Sequence, residues 1–232
     1  MILRKWEDLP EEMQIPEVRK YYEILEKHKF SLFLKRVFDV IVSFIMFMIL
    51  AIPILFISIL IVIDSPGGVF YRQTRVKKKK KKFRIHKFRT MIANADKIGN
   101  LVTVGQDSRI TKIGSFLRKY RLDELPQLLD VLSGSMSFVG TRPEVPKYVE
   151  SYTAEMKATL LLPAGITSEA SIQYKDEAEL LDGATDVDKV YVEQVLPGKM
   201  KYNLQAIEKF SFLTEIATMF RTVFAVLGKE YR

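Results

Sequence analysis

Two adjacent carboxylates, Asp123 and Glu124, sit in the segment Arg121-Leu-Asp-Glu-Leu-Pro-Gln127. On a regular helix neighbouring side chains diverge by about 100°, so the pair cannot clamp one atom as an i, i+4 pair does. At a helix start both can face one solvent-filled mouth. Asp is a favoured N-cap and Pro a favoured first-turn residue, so the plain reading is a capping Asp123 beside a surface Glu124. The cations nearby point elsewhere. Arg109, Lys112, Arg118, Lys119, Arg121 and Arg142 crowd the same region, and Lys87 and Arg89 stand in Lys87-Phe-Arg-Thr-Met91. Arginine is suited to planar, two-point capture of phosphate oxygens. An acidic dyad among arginines reads as Mg²⁺ with a phosphate-rich substrate, the carboxylates holding the metal and the arginines the phosphates. A carboxylate can also be the nucleophile and form an acyl-phosphate. No P-loop or dinucleotide fingerprint offers a competing explanation.

Composition limits what can hold such a site. The 232 residues suit one ordinary domain plus a membrane element, and 48% are hydrophobic, enough for a core. The net charge of +8 favours an anionic partner. There is no cysteine, and only His28 and His86 offer imidazoles, which removes disulfides and the common Cys/His zinc sites.

The positioning elements begin with an uncharged run from Val40 to Ile63, with Pro53 near its middle. As a helix it would reach roughly 36 Å, enough to cross a ~30 Å hydrocarbon core. Both flanks are basic, however: Lys27, Lys29, Lys35 and Arg36 before it, Arg72, Arg75 and Lys77 to Lys82 after it. A single crossing should be basic on its cytoplasmic side only. The run therefore reads as a hairpin that enters the membrane, turns near Pro53 and leaves on the same face, too long and too far from the N-terminus for a cleaved signal. Before it, Pro16 and the spacing of Val18, Tyr21, Tyr22 and Leu25 predict an amphipathic helix lying on the membrane or the domain. After it, Asp64-Ser-Pro-Gly-Gly68 is a turn, and the strand character of 69–73 with the alternation of 83–88 predicts a β-hairpin with the lysines at its tip. Near an anionic leaflet each lysine adds ~1 kcal/mol of attraction. Residues 92–108 read as a loop with a short helical piece. Helical pattern returns at 113–118, 125–132 and 144–162, with a turn at Val139-Gly-Thr-Arg-Pro143 and little legible pattern over 168–199. The segment from Tyr202 to Leu227 reads as one amphipathic helix with Leu204, Ile207, Phe210, Leu213, Ile216, Phe220, Val223 and Leu227 on one face.

Several motifs in order carry a family resemblance: Lys35-Arg36-Val-Phe38-Asp39, the Pro-centred apolar run, Asp64-Ser-Pro-Gly-Gly-Val-Phe-Tyr-Arg-Gln73, Lys87-Phe-Arg-Thr-Met91, Arg118 to Gln127 and Met136-Ser-Phe-Val-Gly-Thr-Arg-Pro143. Over roughly 33–167 the chain resembles the bacterial sugar transferases, the small monotopic polyprenyl-phosphate phosphoglycosyl transferases. The resemblance implies transfer of a sugar-1-phosphate from a UDP-sugar to polyprenyl phosphate, with release of UMP, at the cytoplasmic face of the bacterial inner membrane. It implies that Asp123 attacks the sugar-linked phosphate and touches Mg²⁺, with Glu124 assisting as a metal or proton partner. Arg118 and Arg142 match phosphate-binding arginines, and Lys87 is a further candidate. It also implies a re-entrant helix bent at a Ser-Pro pair. Here that pair is Ile52-Pro53, with Ser43 or Ser58 as candidate substitutes for the missing hydroxyl. Two further departures are the lysines after Arg75-Val76, where the family commonly has Gly, and Pro163-Ala-Gly165-Ile-Thr-Ser168, which lacks the family's following Gly-Trp.

The expected architecture is a mostly helical α+β, monotopic protein: an N-terminal amphipathic segment over 1–34, a re-entrant membrane helix over 35–63, and a cytoplasmic catalytic domain over 64–232 with amphipathic interfacial helices. The expected partners are a UDP-sugar, polyprenyl phosphate and, through Lys77 to Lys82, anionic lipid. The alternative is a non-catalytic adaptor that binds anionic lipid without metal. Nucleic acid is not expected, because few aromatics accompany the lysines.

Overall fold

A computed structural model describes residues 3–95, 107–181, 184–226 and 228. Leu227 and most of the 92–108 stretch lie outside these.

Helix α1 (Pro16–Lys27) starts at the predicted proline and buries Val18, Tyr21, Tyr22 and Leu25 in the principal core. It lies on the domain. Helix α2 (Lys29–Asp64) holds the whole apolar run and is long and apolar enough to cross a membrane. The strands β1 (Phe70–Lys77) and β2 (Lys81–Phe88) form the expected antiparallel hairpin, with Lys78–Lys80 as its turn. Then come α3 (Lys112–Lys119), a 3-10 segment Leu122–Gln127, α4 (Leu128–Leu132), β3 (Met136–Val139), α5 (Pro146–Glu150), a 3-10 segment Met156–Leu161, β4 (Ala164–Thr167), α6 (Glu169–Gln173), α7 (Glu177–Leu180), α8 (Val187–Val190), a π turn Tyr191–Val195, α9 (Leu196–Glu208) and α10 (Phe212–Val226).

Three sequence expectations are corrected. Val139, read as the first residue of a turn, is instead the end of strand β3, which pairs in parallel with β4 in a second two-stranded sheet. The four residues of β3 are all buried, so it lacks the alternation that marks a half-exposed strand. Residues 144–162 are not one helix but α5 and a 3-10 segment. The C-terminal amphipathic segment is two helices that break at Lys209-Phe210-Ser211, and its apolar face divides. Leu204, Ile207 and Phe210 enter the principal core, whereas Leu213, Phe220 and Val223 are exposed. One periodicity serves two different surfaces.

Helix α2 is fastened to the domain along its length. On one face Phe38, Val42, Met46 and Leu50 pack on α4 and β3, and beyond Pro53 Ile54, Ile57 and Ile61 pack with Leu117 and Phe88. On the other, Phe30, Phe33, Val37, Ile41, Phe44, Met48, Ile52, Leu55, Ile59 and Val62 follow one another at steps of three or four and are all exposed. Both ends of the helix keep contacts with the domain. The N-terminal arm is held by polar groups. Lys35 Nζ donates to Val139 O at 2.7 Å and pairs with Glu215 of α10. Arg36 donates to Val131 O and Leu132 O. Asp39 accepts from Ser137 Oγ at 2.8 Å and Phe138 N at 3.2 Å. At the other end Asp64 Oδ2 accepts from Ile113 N at 3.0 Å, and Arg89 donates to Ser65 O and Pro66 O.

Helical structure continues through Pro53. Proline has no N–H to give the carbonyl of Ile49. Ser43 Oγ donates to Val40 O and Ser58 Oγ to Ile54 O, so neither hydroxyl serves that carbonyl.

Candidate active site

The β-hairpin supplies one wall. Tyr71, Gln73 and Arg75 alternate along β1, so they share a face, and Lys87 lies directly opposite Tyr71 on β2. All four line a cavity of about 900 Å³ that also takes in Arg118, Asp123, Glu124 and Arg142. Met46 lines it too, so the cavity reaches the membrane-type helix.

The carboxylates come from the 3-10 segment after α3. Arg121 enters it in the left-handed conformation, φ 56°, and no side chain caps it. Asp123 is therefore not a cap, contrary to the plain reading of its sequence. Both acids are buried. Glu124 is bound on both oxygens: Arg142 Nη2 lies 2.5 Å and Lys87 Nζ 2.9 Å from Oε1, and Arg142 Nη1 lies 3.5 Å from Oε2. Asp123 meets Lys87 Nζ at 3.9 Å, outside hydrogen-bond range.

Their protonation follows this difference. Burial raises the Asp123 carboxyl above the usual aspartate range and Glu124's charge adds to the rise, while Lys87, Arg142 and Arg118 oppose it. Burial pushes Glu124 the same way, but Arg142 and Lys87 together outweigh it and hold Glu124 far below the glutamate range. The Glu124 charge in turn raises Arg142. Burial lowers Lys87 despite its carboxylate neighbours.

Arg142 sits in the turn after β3. Gly140 N donates to Thr167 O and Gly165 N to Thr141 O, both at 2.9 Å. A Cβ on Gly165 would lie 2.2 Å from Gly140 N, so the two backbones meet only because that residue is glycine. Arg75 braces the turn from outside, Nη1 donating to Pro143 O at 3.1 Å. Arg118, on the last turn of α3, donates from Nε to Thr90 Oγ1 at 2.9 Å and faces the same cavity.

Lys87, Asp123, Glu124 and Arg142 thus converge, with Arg118 on the shared cavity wall. Arg109 is tied to Asp107 and Ala95 O, at the cavity rim. Pro53 is remote in sequence from these groups and lies within α2. Sequence reasoning missed the polar group behind Arg142: Glu144 accepts from Tyr191 OH at 2.6 Å and pairs with Lys199 at 3.3 Å, and Lys199 pairs with Glu177 at 3.0 Å. Glu144 directly follows Arg142-Pro143 and could have been found there. Tyr191, Glu177 and Lys199 come from the stretch with little pattern.

Among the described residues no group of three or more His, Cys, Asp or Glu side chains could hold a metal. Mg²⁺ commonly takes one or two carboxylates and completes its shell with water and substrate phosphates. Asp123, whose carboxylate accepts no hydrogen bond among the described residues and meets Lys87 only at 3.9 Å, fits that donor set. Glu124 has both oxygens engaged.

The bacterial sugar transferase family matches the chain over residues 30–229. The chain is 31% identical over 198 residues to the UDP-N-acetylgalactosamine-undecaprenyl-phosphate N-acetylgalactosaminephosphotransferase of Aeromonas hydrophila, covering 84% of this chain and 44% of that protein. It is 32% identical over 196 residues to the UDP-glucose:undecaprenyl-phosphate glucose-1-phosphate transferase of Escherichia coli, covering 82% and 39%. It is also 32% identical over 197 residues to the uncharacterized sugar transferase EpsL of Bacillus subtilis, covering 85% and 89%. The chain therefore spans less than half the length of the first two relatives and most of the third. With the family's match running from the start of α2 through α10, and with relatives that share about a third of their residues with it, the chain belongs to the bacterial sugar transferase family.

Proposed function

We propose that this protein transfers a sugar-1-phosphate from a UDP-sugar to polyprenyl phosphate, the first membrane step in building a bacterial glycoconjugate. The observation that carries the reading is the split between the two carboxylates: Glu124 bound by two cations, Asp123 bound by none at hydrogen-bond distance, both in a cavity lined by further arginines. The names of the relatives, two of which are undecaprenyl-phosphate phosphotransferases, support the substrate classes.

In this scheme an Asp123 oxygen attacks the sugar-linked phosphorus of the UDP-sugar. The bond between that phosphorus and the bridging oxygen breaks, and UMP leaves with the electron pair. An oxygen of polyprenyl phosphate then attacks the same phosphorus, and the Asp123 carboxylate departs unchanged. Arg142, Lys87 and Arg118 offset the negative charge of the phosphates, which supplies most of the catalysis in phosphoryl transfer. Glu124 holds Arg142 and Lys87 in place between substrates, so that their geometry is set before phosphate arrives. Mg²⁺ held by Asp123 and the substrate phosphates would neutralise further charge on the diphosphate.

Helix α2 would lie re-entrant in the cytoplasmic leaflet of the inner membrane, exposed stripe to lipid and both ends on the cytoplasmic side. The exposed Leu213, Phe220 and Val223 of α10 would sit at the same interface. A cavity that touches α2 is then within reach of a lipid phosphate. The test is UMP release from a panel of UDP-sugars in the presence of polyprenyl phosphate. Repeated turnover, beyond one UMP per enzyme, that needs both substrates and is lost on chelation of Mg²⁺ supports the reading. Absence of release with every UDP-sugar, while the protein still binds anionic lipid, supports the adaptor instead.

A further inference from the structure

A second cavity, of about 230 Å³, shares no lining residue with the first. Its apolar wall is Leu9, Leu32 and Leu161–Leu162, and its polar wall is the hairpin turn with Arg4. The turn is an unusual one. Lys79 and Lys80 stand at φ 58° and 56°, consecutive left-handed positions where Gly or Asn is favoured. Lysines there bring strain and mutual repulsion together.

Only part of that charge is neutralised. Lys80 pairs with Glu12 at 2.7 Å and Lys77 donates to Ser135 Oγ at 2.9 Å. The side chains of Lys78, Lys79 and Lys81 make no hydrogen bond or ion pair among the described residues, and Asp8 acts on Lys79 only at longer range. Lys78 is half-buried. Burial and the charges of Lys77, Arg36, Arg4 and Lys81 hold its ammonium below the ordinary lysine value. Leu32, near the start of α2, is the helix's contribution to the apolar wall and is fully buried there.

We propose that this cavity binds the phosphodiester headgroup of an anionic lipid, as a site separate from the catalytic cavity. The phosphate would meet Lys78, Lys79 and Lys81, and the start of the lipid's apolar portion would lie against Leu9, Leu32 and Leu162. The ligand class follows from charge complementarity next to an apolar wall; a free phosphate has no use for that wall. The proposal rests on the membrane placement of α2 and not on the transfer reaction.

The test uses the full chain in neutral detergent, with native mass spectrometry counting bound dihexanoyl phosphatidylglycerol, dihexanoyl phosphatidylcholine or inorganic phosphate. One phosphatidylglycerol is expected to bind in preference to the other two. The triple variant Lys78→Gln, Lys79→Gln, Lys81→Gln should weaken it by roughly a hundredfold, at one decade or less per lysine. The control Lys27→Gln, Lys201→Gln, Lys209→Gln removes as much charge from exposed positions and should bind as the parent does. A second variant, Lys79→Asn with Lys80→Gly, supplies residues suited to the turn and should also bind more weakly while keeping the fold. Unchanged binding in the triple variant, equal loss in the control, or equal binding of inorganic phosphate would each overturn the site. UMP release, measured in parallel, reports on the transfer reaction independently.

Discussion

Asp123 and Glu124 are chain neighbours in one buried cavity, yet Lys87 Nζ stands 2.9 Å from Glu124 and 3.9 Å from Asp123. With Arg142 also on Glu124, one carboxylate is committed to holding cations, and the proposed scheme takes the other as the nucleophile. Division of labour between paired acids follows from such unequal environments.

Glu124→Gln removes the shared anion and leaves the partly buried Lys87 and Arg142 facing each other. Removing one partner of a buried pair costs roughly 3–5 kcal/mol, and the partial exposure of Arg142 places this case at the lower end. A thermal melt in detergent should show a clear loss. Because the folded-state pKa of Glu124 is depressed, its contribution is complete above the unfolded value of about 4.3 and is lost as pH falls toward the folded one. The gap between the parent and Glu124→Gln should therefore narrow in acid.

Asp123 titrates the other way. Its folded pKa is raised, so the attacking carboxylate is lost as pH falls through a midpoint above the ordinary aspartate value of about 3.9. The rate of UMP release should show that acidic limb. In Glu124→Gln a neighbouring negative charge is gone, and the limb should move to lower pH. The same sign means that ionised Asp123 costs stability at neutral pH, so Asp123→Asn should melt no lower than the parent.

Gly114 lies where α3 crosses the residues after β2. A Cβ there would fall 2.0 Å from Thr90 O. Thr90 also receives Arg118 Nε. Gly114→Ala should therefore destabilise by about 1–3 kcal/mol, the usual range for overpacking, and displace Arg118 from the cavity wall. Steady-state kinetics should show a raised KM for the UDP-sugar.

The proposed re-entrant arrangement would put both ends of α2 on the cytoplasmic side. The chain has no cysteine, so single cysteines at Phe30 and Gly68 can be labelled without background. Both should react with an impermeant reagent only from the cytoplasmic side. Reaction of the two from opposite sides would mean a crossing.

The candidate site was legible because Asp123, Glu124, Arg118, Arg142 and Lys87, which the fold brings to one cavity, lie in short motifs of charged residues whose types already suggest phosphate. Hairpin and α1 were legible too, since alternation and 3.6-residue spacing report directly on a half-exposed surface. What failed to show has physical reasons. Strand β3 is buried throughout and so carries no alternation. The break at Phe210 is hidden because Leu204, Ile207, Phe210 and Leu213 recur every three residues straight through it, while Leu204 faces the core and Leu213 does not. The partners of Glu144 are 47 and 55 residues away in sequence, and such a pairing leaves no local pattern. The doubly bound state of Glu124 is likewise a tertiary fact: Lys87 and Arg142 come from different elements, and only the fold decides which carboxylate they choose.

The central claim is that Asp123 carries the phosphosugar. Purified protein incubated with UDP-N-acetylgalactosamine or UDP-glucose, donors named for its relatives, and no polyprenyl phosphate should release UMP in a single burst no larger than the enzyme concentration. Intact mass should rise by one sugar phosphate, and peptide mapping should place it on Asp123; Asp123→Asn should give neither burst nor adduct. UMP release by folded Asp123→Asn at the parental rate, or an adduct on another residue, would contradict the account.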